Sequence, residues 1–193
     1  MWRPVLTSSN DARQGYLVVR CQLGEADALD QLVTAWHHPL WRYVRTLLPN
    51  DEMAGDAIQD VWLAILRGLP KLRDPLRFRA WAYRISHHVA MEQLRKRYAD
   101  ALVDPLDEHD EGPHDVGIDP EREDEFEALN AGLMKLPLLE RNVLSLFYLQ
   151  ELSLIEIAAV VDVPVGTVKS RLFRARRMLR ELVAPTAMEN NHA

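Results

Sequence analysis

The fold is decided by residues 153–183, which read SLIEIAAVVDVPVGTVKSRLFRARRMLRELV. Ser153 precedes Glu156 by three positions, the spacing of a capping box, in which each side chain bonds the backbone N–H of the other residue. Apolar residues continue at helical spacing until residues 162–166 interrupt the helix, and a second helix is predicted to start at Thr167. The segment is therefore predicted to be a helix, a short turn and a second helix.

The second of these helices has a packing face and a basic face. Apolar residues recur at steps of four and three, at Val168, Leu172, Ala175, Leu179 and Leu182. Neighbouring stripes carry Lys169, Phe173, Arg176 and Arg180, and Ser170, Arg174 and Arg177. Cations reach phosphates and guanine edges, and an aromatic ring can contact a thymine methyl group. The pattern favours a helix that reads the DNA major groove, although a solvated basic surface helix would show it too.

The sequence before residue 101 is also helical in its periodicity. Apolar residues recur at three- and four-residue steps, for example at Leu29, Leu32, Trp36 and Leu40, and no stretch alternates as a strand would. Prolines punctuate the pattern, and Pro39 is expected to kink one long helix rather than end it. These features indicate an all-α protein.

Charge divides the chain into three parts. The net charge of −6 is the sum of +4 over residues 1–98, −12 over 99–128 and +2 over 129–193. Residues 101–125 combine like charges with turn residues and little apolar surface, which predicts a flexible acidic linker. Two small helical domains are therefore expected, at residues 12–98 and 126–184, followed by a tail at 185–193.

A second basic stretch lies between Arg77 and Arg97 and contains six Lys and Arg with one acid, Glu92. Arg77, Arg84, His88 and Arg95 share one face of a helix, with Trp81 and Tyr83 between them. Basic side chains interleaved with aromatic rings suit single-stranded or opening DNA, on whose bases the rings can stack. The alternative is a core helix whose aromatic residues pack inward.

Composition excludes several other classes of protein. The single cysteine, Cys21, excludes an internal disulfide and a multi-cysteine zinc site. No apolar run approaches the ~20 residues of a membrane helix, and the N-terminus does not have the pattern of a secretory signal. No nucleophile–base set or Gly-rich phosphate loop appears, so neither catalysis nor a cofactor or metal is expected.

The order of these features resembles an extracytoplasmic-function (ECF) sigma factor of bacterial RNA polymerase, in the sigma-70 family. Residues 56–62, DAIQDVW, look like the polymerase-binding helix of sigma region 2. Residues 78–85, FRAWAYRI, look like the helix that melts and reads the −10 promoter element. Residues 136–137, 151–159 and 164–176 match sigma region 4, which reads the −35 element. The resemblance covers roughly residues 20–98 and 128–183.

The resemblance implies roles for individual residues. Core polymerase would be bound by Asp56, Gln59, Asp60 and Trp62. The −10 element would be contacted by Lys71, Leu72, Arg77, Phe78, Trp81, Arg84, His88, Arg95, Lys96 and Arg97. The −35 element would be contacted by Thr167, Lys169, Ser170, Arg171, Phe173, Arg174, Arg176 and Arg177.

The resemblance also implies partners and a location. The partners would be bacterial core RNA polymerase, promoter DNA and an anti-sigma factor, with no small-molecule substrate. The protein would be cytoplasmic and reach the nucleoid through polymerase, and an anti-sigma factor could hold it near the inner membrane. The competing interpretation is an autonomous helix-turn-helix repressor or activator, which would bind its promoter without polymerase.

Overall fold

The computed structural model describes residues 9–103, 126 and 129–189, with side chains for 12–99, 126 and 129–182. These residues form helices and turns and include no strand, which confirms the all-α prediction. Of the predicted linker, residues 101–103 continue a helix, and residues 104–125 lie outside the described part of the chain. The domain and linker boundaries therefore stay predictions.

The N-terminal domain consists of four long helices joined by short turns. They are α1 (Ser9–Gln22), α2 (Ala26–Arg45), α3 (Asp51–Gly68) and α4 (Phe78–Val103). Two single turns of 3₁₀-helix, Leu69–Lys71 and Pro75–Arg77, connect α3 to α4. Pro39 lies inside α2, as expected from its place in a continuous apolar pattern.

Large apolar and aromatic side chains fill the core of this domain. Each fully buried aliphatic or aromatic side chain contributes about 1.5–3 kcal/mol relative to an exposed one. The rings of Trp36 and Phe78 meet edge to face at 5.3 Å, and those of Tyr43 and Tyr83 at 5.2 Å. These contacts fix α4 against α2. The fully buried members of this core include Leu32, Leu40, Tyr43, Val44, Val61, Ile65, Phe78 and Ala82.

The C-terminal domain contains the predicted helix-turn-helix. Its helices are α5 (129–134), α6 (Leu138–Leu144), α7 (Leu154–Val161) and α8 (Val165–Glu189), with a π-helical turn at Ser145–Leu149 after α6. The predicted capping box begins α7: Ser153 N–H donates to Glu156 at 2.8 Å, and Glu156 N–H donates to Ser153 Oγ at 3.3 Å.

The second helix of the motif begins two residues earlier than predicted. Asp162 ends α7 in the left-handed conformation, with φ 53°, and α8 begins at Val165. The Pro164 carbonyl accepts from Thr167 N–H at 2.8 Å and from Val168 N–H at 3.2 Å. Proline suits this position because it has no N–H to leave unpaired before a helix.

The two domains pack against one another. Helix α4 contacts α7, and one continuous apolar core includes Tyr83 of the first domain and Ile157 of the second. The sequence predicts two separate helical units and contains no signal for this contact. The contact is therefore a property of the tertiary structure alone.

Candidate nucleic-acid and protein interfaces

One face of α3 carries the acidic residues predicted to bind a protein partner. Asp56, Gln59 and Asp60 are all exposed, and their spacing puts them on the same side of the helix. Leu63 follows one turn later and is 48% exposed. Gln93 of α4 donates to Asp60 at 3.3 Å. The structure therefore brings the three predicted polar residues together beside an exposed apolar side chain.

Trp62 lies to the side of this face. Its indole N–H donates to His37 Nδ1 at 3.1 Å, and the two rings stack at 6.5 Å. His37 Nδ1 can accept this bond only when the imidazole is neutral. Burial lowers the pKa of His37 and therefore favours the same neutral form. Trp62 thus ties α3 to α2 and supports the acidic face from behind.

Two exposed leucines on α3 were not predicted from the sequence. Leu63 and Leu66 are 48% and 41% exposed, and Leu63 borders a groove of about 310 Å³ between α3 and α4. Exposed apolar side chains beside charged ones are typical of protein contact surfaces. In the sequence these leucines are indistinguishable from core positions, because the apolar pattern of α3 runs across both faces.

The exposed face of α4 is basic, as predicted. Arg77 pairs with Asp74 at 3.1 Å, and Lys96 pairs with Glu92 at 3.0 Å, both in exposed positions. Exposed ion pairs contribute only about 0–1 kcal/mol, so these cations can exchange their partners for phosphates. Arg77 lies in the turn before α4, and the exposed predicted residues on α4 itself are Arg84, His88, Arg95, Lys96 and Arg97.

The two aromatic residues predicted to contact the −10 element occupy different positions. Phe78 is completely buried between Trp36 and Trp81, so its ring is not placed to touch DNA and instead supports α4 from within. Trp81 is half-buried and packs over Gly68. A Cβ at position 68 would lie 2.7 Å from the Trp81 ring, so glycine is needed there for the ring to fit.

The turn before α4 is held by a side chain from α1. Gln22 donates through Nε2 to the carbonyl of Leu69 at 2.9 Å and to that of Leu72 at 2.8 Å. Both bonds are partly buried and span almost fifty residues of sequence. Lys71, between the two acceptors, is exposed, and Leu72 is half-buried. Sequence analysis missed Gln22, because no local pattern links it to this turn.

Helix α8 presents its basic face outward. Val168, Leu172 and Ala175 of the predicted packing face are buried, whereas Leu182 is 43% exposed. Thr167 is half-buried and its carbonyl accepts from Ser170 Oγ at 2.9 Å. The ring of Phe173 is 66% exposed. The other exposed residues of the predicted DNA-contacting set are Lys169, Ser170, Arg174, Arg176 and Arg177.

Two of these cations also contact the rest of their own domain. Arg174 Nε donates to Glu140 at 2.9 Å, and the Glu140 side chain is only 10% exposed. The Arg176 guanidinium lies 5.5 Å and 5.4 Å from the ring centres of Phe147 and Tyr148. Arg174 and Arg176 therefore orient α8 on α6 and the π-helical turn, in addition to facing solvent.

His87 lies at the contact between the two domains. Its Nδ1 is 3.1 Å from Asn142 Nδ2, so it accepts this bond in its neutral form. Burial lowers the pKa of His87 to about 4, and the nearby charges of His88 and Arg171 act in the same direction. Arg171, predicted to read DNA, is half-buried and close enough to His87 for its charge to lower the pKa of that histidine.

The domain contact is expected to weaken in acid. His87 stays neutral when the domains are in contact but takes a proton near pH 6.5 when they are apart. The free energy that neutral His87 contributes to the domain contact is therefore fully present above pH 6.5 and is lost as the pH falls toward 4. By pH 5 the ratio of docked to separated domains should fall roughly thirtyfold, given a His87 pKa of about 4 in the contact, measured as a larger radius of gyration in X-ray scattering. In His87→Gln this pH dependence should be lost; an unchanged profile would contradict the assignment.

Other reactive groups in the described residues form no further site. Burial raises the pKa of the half-buried Cys21 thiol, which disfavours its reactive thiolate. Within the described ranges, no group of three or more histidine, cysteine or acidic residues is arranged to hold a metal ion. Across the same residues, no helix has both the length and the apolar character needed to cross a membrane.

Comparisons with known proteins identify both domains. Residues 32–99 match the family Sigma-70 region 2, and residues 126–179 match Sigma-70, region 4. The chain is 33% identical over 195 residues to the RNA polymerase sigma-H factor of Pseudomonas aeruginosa, which covers 96% of this chain and 100% of the relative. It is 30% identical over 183 residues to the ECF RNA polymerase sigma-E factor of Escherichia coli (strain K12), covering 88% and 93%.

A solved structure extends the similarity to the fold. CnrH, in complex with the cytosolic domain of CnrY, superposes with a TM-score of 0.65 and 26% identity, covering 89% of this chain and 97% of that one. Together with the two family matches, these similarities favour a sigma factor over an autonomous regulator. The chain therefore belongs to the sigma-70 family, as an ECF sigma factor that directs the initiation of transcription by RNA polymerase.

Proposed function

We propose that Asp56, Gln59 and Asp60 bind core RNA polymerase, with Leu63 as an apolar contact beside them. The three polar residues share an exposed face of α3, and half-buried Trp62 packs beside them through its bond to His37. Acidic residues around an exposed leucine suit a protein surface that carries cations next to an apolar patch.

The basic faces of α4 and α8 contact promoter DNA in this proposal. On α4 the exposed cations bind and open the −10 element, with half-buried Trp81 in the first turn of the helix and half-buried Leu72 in the segment that precedes it. On α8 the residues from Lys169 to Arg177 read the −35 element. The observation that carries the assignment is α8 itself, whose Val168, Leu172 and Ala175 are buried while the cations between them are exposed.

Further parts of the proposal concern partners and place. An anti-sigma factor is a proposed partner, which is supported by the structure of CnrH with a bound protein domain. The chain works in the cytoplasm, at the nucleoid when bound to polymerase, and an anti-sigma factor can hold it near the inner membrane. It carries out no catalysis itself, since polymerase performs the nucleotide chemistry.

Run-off transcription tests this proposal. Purified chain, bacterial core polymerase and a promoter library are mixed, and the transcripts are sequenced. Discrete starts that share one pair of upstream elements are expected. If the chain instead binds DNA equally well without core polymerase and yields no starts, the autonomous regulator is the correct interpretation.

Gln22→Ala is expected to impair promoter opening selectively. The substitution removes both bonds that hold the carbonyls of Leu69 and Leu72, each worth about 0.5–1.5 kcal/mol. The turn before α4 would lose its fixed position, and open-complex formation should fall about tenfold. Permanganate footprinting of the −10 element measures the opening. Binding of the Gln22→Ala variant to core polymerase should be unchanged. Gln31→Ala, on an exposed face of α2, is the control, and its binding to core polymerase should also be unchanged. Normal promoter opening by Gln22→Ala would show that the turn keeps its position without the two bonds from Gln22.

A further inference from the structure

Helix α1 packs along the α3–α4 connection, residues 69–77, and contacts it at two places. At one end Gln22 Nε2 donates to two backbone carbonyls of the connection, at 2.9 Å and 2.8 Å. Two helical turns earlier, on the same face of α1, a Cβ at Gly15 would lie 2.7 Å from Leu76 Cδ2. The Leu76 side chain thus occupies the space that a larger residue would need. The α3–α4 connection is therefore held near both of its ends.

Helix α1 is itself fixed in place, so it can serve as a support. Val18, on its inner side, is completely buried in the core. The helix ends where Gly24 adopts the left-handed conformation, with φ 81°, which favours glycine. Arg20 pairs with Glu25 at 2.7 Å across this glycine. The end of α1 that carries Gln22 therefore has a defined position.

The α3–α4 connection has little support of its own. The N–H groups of Leu72 and Arg77 donate to the carbonyls of Leu69 and Asp74 at 3.1 Å each, closing two single turns of 3₁₀-helix. Hydrogen bonds in 3₁₀-helices have poorer geometry than those in α-helices. Of residues 69–77, only Leu69 is buried. The contacts with α1 therefore largely decide where the connection lies.

We propose that α1 sets the base preference of the protein at the −10 element, with Gly15 and Gln22 as positioning residues that act through the α3–α4 connection. This inference rests on the proposed function, because a base preference follows only if Lys71 and Leu72 of the connection contact the promoter. It concerns which base is accepted, and not how far the promoter opens. Neither positioning residue needs to touch DNA.

Base recognition needs closer positioning than phosphate binding does. Recognition groups must be held within about 0.5 Å of their productive geometry by the residues that support them. Long cationic side chains, such as that of Lys96, reach phosphates from a range of positions, and these contacts carry no sequence information. When the α3–α4 connection is free to move, wrong bases should therefore be accepted more readily, while the overall affinity for DNA changes little.

Gln22→Glu tests one end of the support. Glutamate has nearly the same size but no donor, so both bonds to the connection are lost. Holoenzyme transcribes a promoter library with every base at each −10 position, and the transcripts are sequenced. The ratio of transcripts with the preferred base to those with a wrong base is compared, because the fraction of active chain cancels from it. A wrong base normally costs about 5- to 150-fold, and Gln22→Glu should lower this ratio roughly fivefold.

Gln31→Glu is the matched control, because it adds the same charge at an exposed position of α2. Its ratio should equal that of the unmodified chain. An unchanged ratio in Gln22→Glu, or an equal fall in both variants, would overturn the inference.

A double-mutant cycle tests the other end of the support. Gly15→Ala puts a methyl group where Leu76 Cδ2 lies, and Leu76→Ala removes the side chain that Gly15 accommodates. Both single variants should lower the ratio, and the double variant should lower it no further, because the two residues form one contact. Alanine favours a helix more than glycine does, so α1 should stay folded in Gly15→Ala. An unchanged ratio in Gly15→Ala, or additive falls in the double variant, would also overturn the inference.

Hydrogen exchange separates this inference from the proposed function. The bonded N–H groups of Leu72 and Arg77 report on the α3–α4 connection in the free chain, and their exchange does not depend on transcription. In Gln22→Glu they should exchange roughly tenfold faster, measured by NMR, because local opening becomes easier. Unchanged exchange would show that α1 does not hold the connection and would overturn the inference. If the unmodified chain starts no transcripts, the proposed function fails and the base preference with it, whereas exchange still decides whether α1 is the support.

Discussion

Reversing the charges of Asp56 and Asp60 together, as Asp56→Lys/Asp60→Lys, is expected to abolish assembly with core RNA polymerase. Both carboxylates are exposed and lie one turn apart on α3, so lysines there should leave the fold intact. Removing one partner of a desolvated charge pair at an interface costs about 2–5 kcal/mol, and reversal adds repulsion. The affinity for core should therefore fall about 100-fold or more.

Native gel shift or fluorescence anisotropy with labelled core polymerase measures this loss. Asp27→Lys/Asp30→Lys is the matched control, since it makes the same change of net charge on exposed positions of α2. Asp27 pairs with Arg20 in an exposed position, so its loss should have little effect on stability. Normal assembly of the α3 variant would remove Asp56 and Asp60 from the docking surface. Equal losses in both variants would indicate a general effect of charge.

Arg174→Ala is expected to have two separable effects, one on stability and one on DNA recognition. Glu140 accepts from Arg174 at 2.9 Å and is almost buried, so the substitution leaves a carboxylate without its cation. A buried polar group left unsatisfied costs about 1–3 kcal/mol, and urea denaturation should show a loss in this range. Loss of a cation from the reading helix should weaken binding to the −35 element by a further ~1–3 kcal/mol.

A double mutant distinguishes the two roles. Glu140→Gln removes the buried charge, so Arg174→Ala/Glu140→Gln should regain most of the lost stability. If Arg174 also contacts DNA, the footprint over the −35 element stays weak in the double mutant. Lys169→Ala serves as the control for an exposed cation of the same helix that has no such structural role. A fully restored footprint would assign Arg174 to positioning alone.

Local signals predicted much of the fold correctly. The capping box at Ser153 and Glu156 forms as expected, because both partners lie within one turn and need no other part of the chain. The packing face of α8 is buried at Val168, Leu172 and Ala175, since helical periodicity alone assigns the side on which each residue lies. The start of α8 was misplaced by two residues, because Pro164 favours an earlier first turn.

Contacts between distant residues could not be predicted in the same way. Phe78 is an aromatic residue in a basic stretch, as expected of a DNA contact, yet packing on Trp36 buries it completely. Gln22 anchors a turn almost fifty residues away, and Leu63 is exposed although its spacing fits a core position. Each outcome depends on which other helix lies opposite, and periodicity carries no information about that partner.

The sequence by itself therefore determined the family, the helical class, the two basic helices and the acidic face of α3, because these depend on residue types at short spacings. Only the tertiary structure decided how the two domains meet. Tyr43, Tyr83 and His87 read as ordinary helix residues until the fold sets them against Asn142 and Gln150. The hydrogen bonds between them join residues at least 55 positions apart, and a pairing of that kind has no local signature.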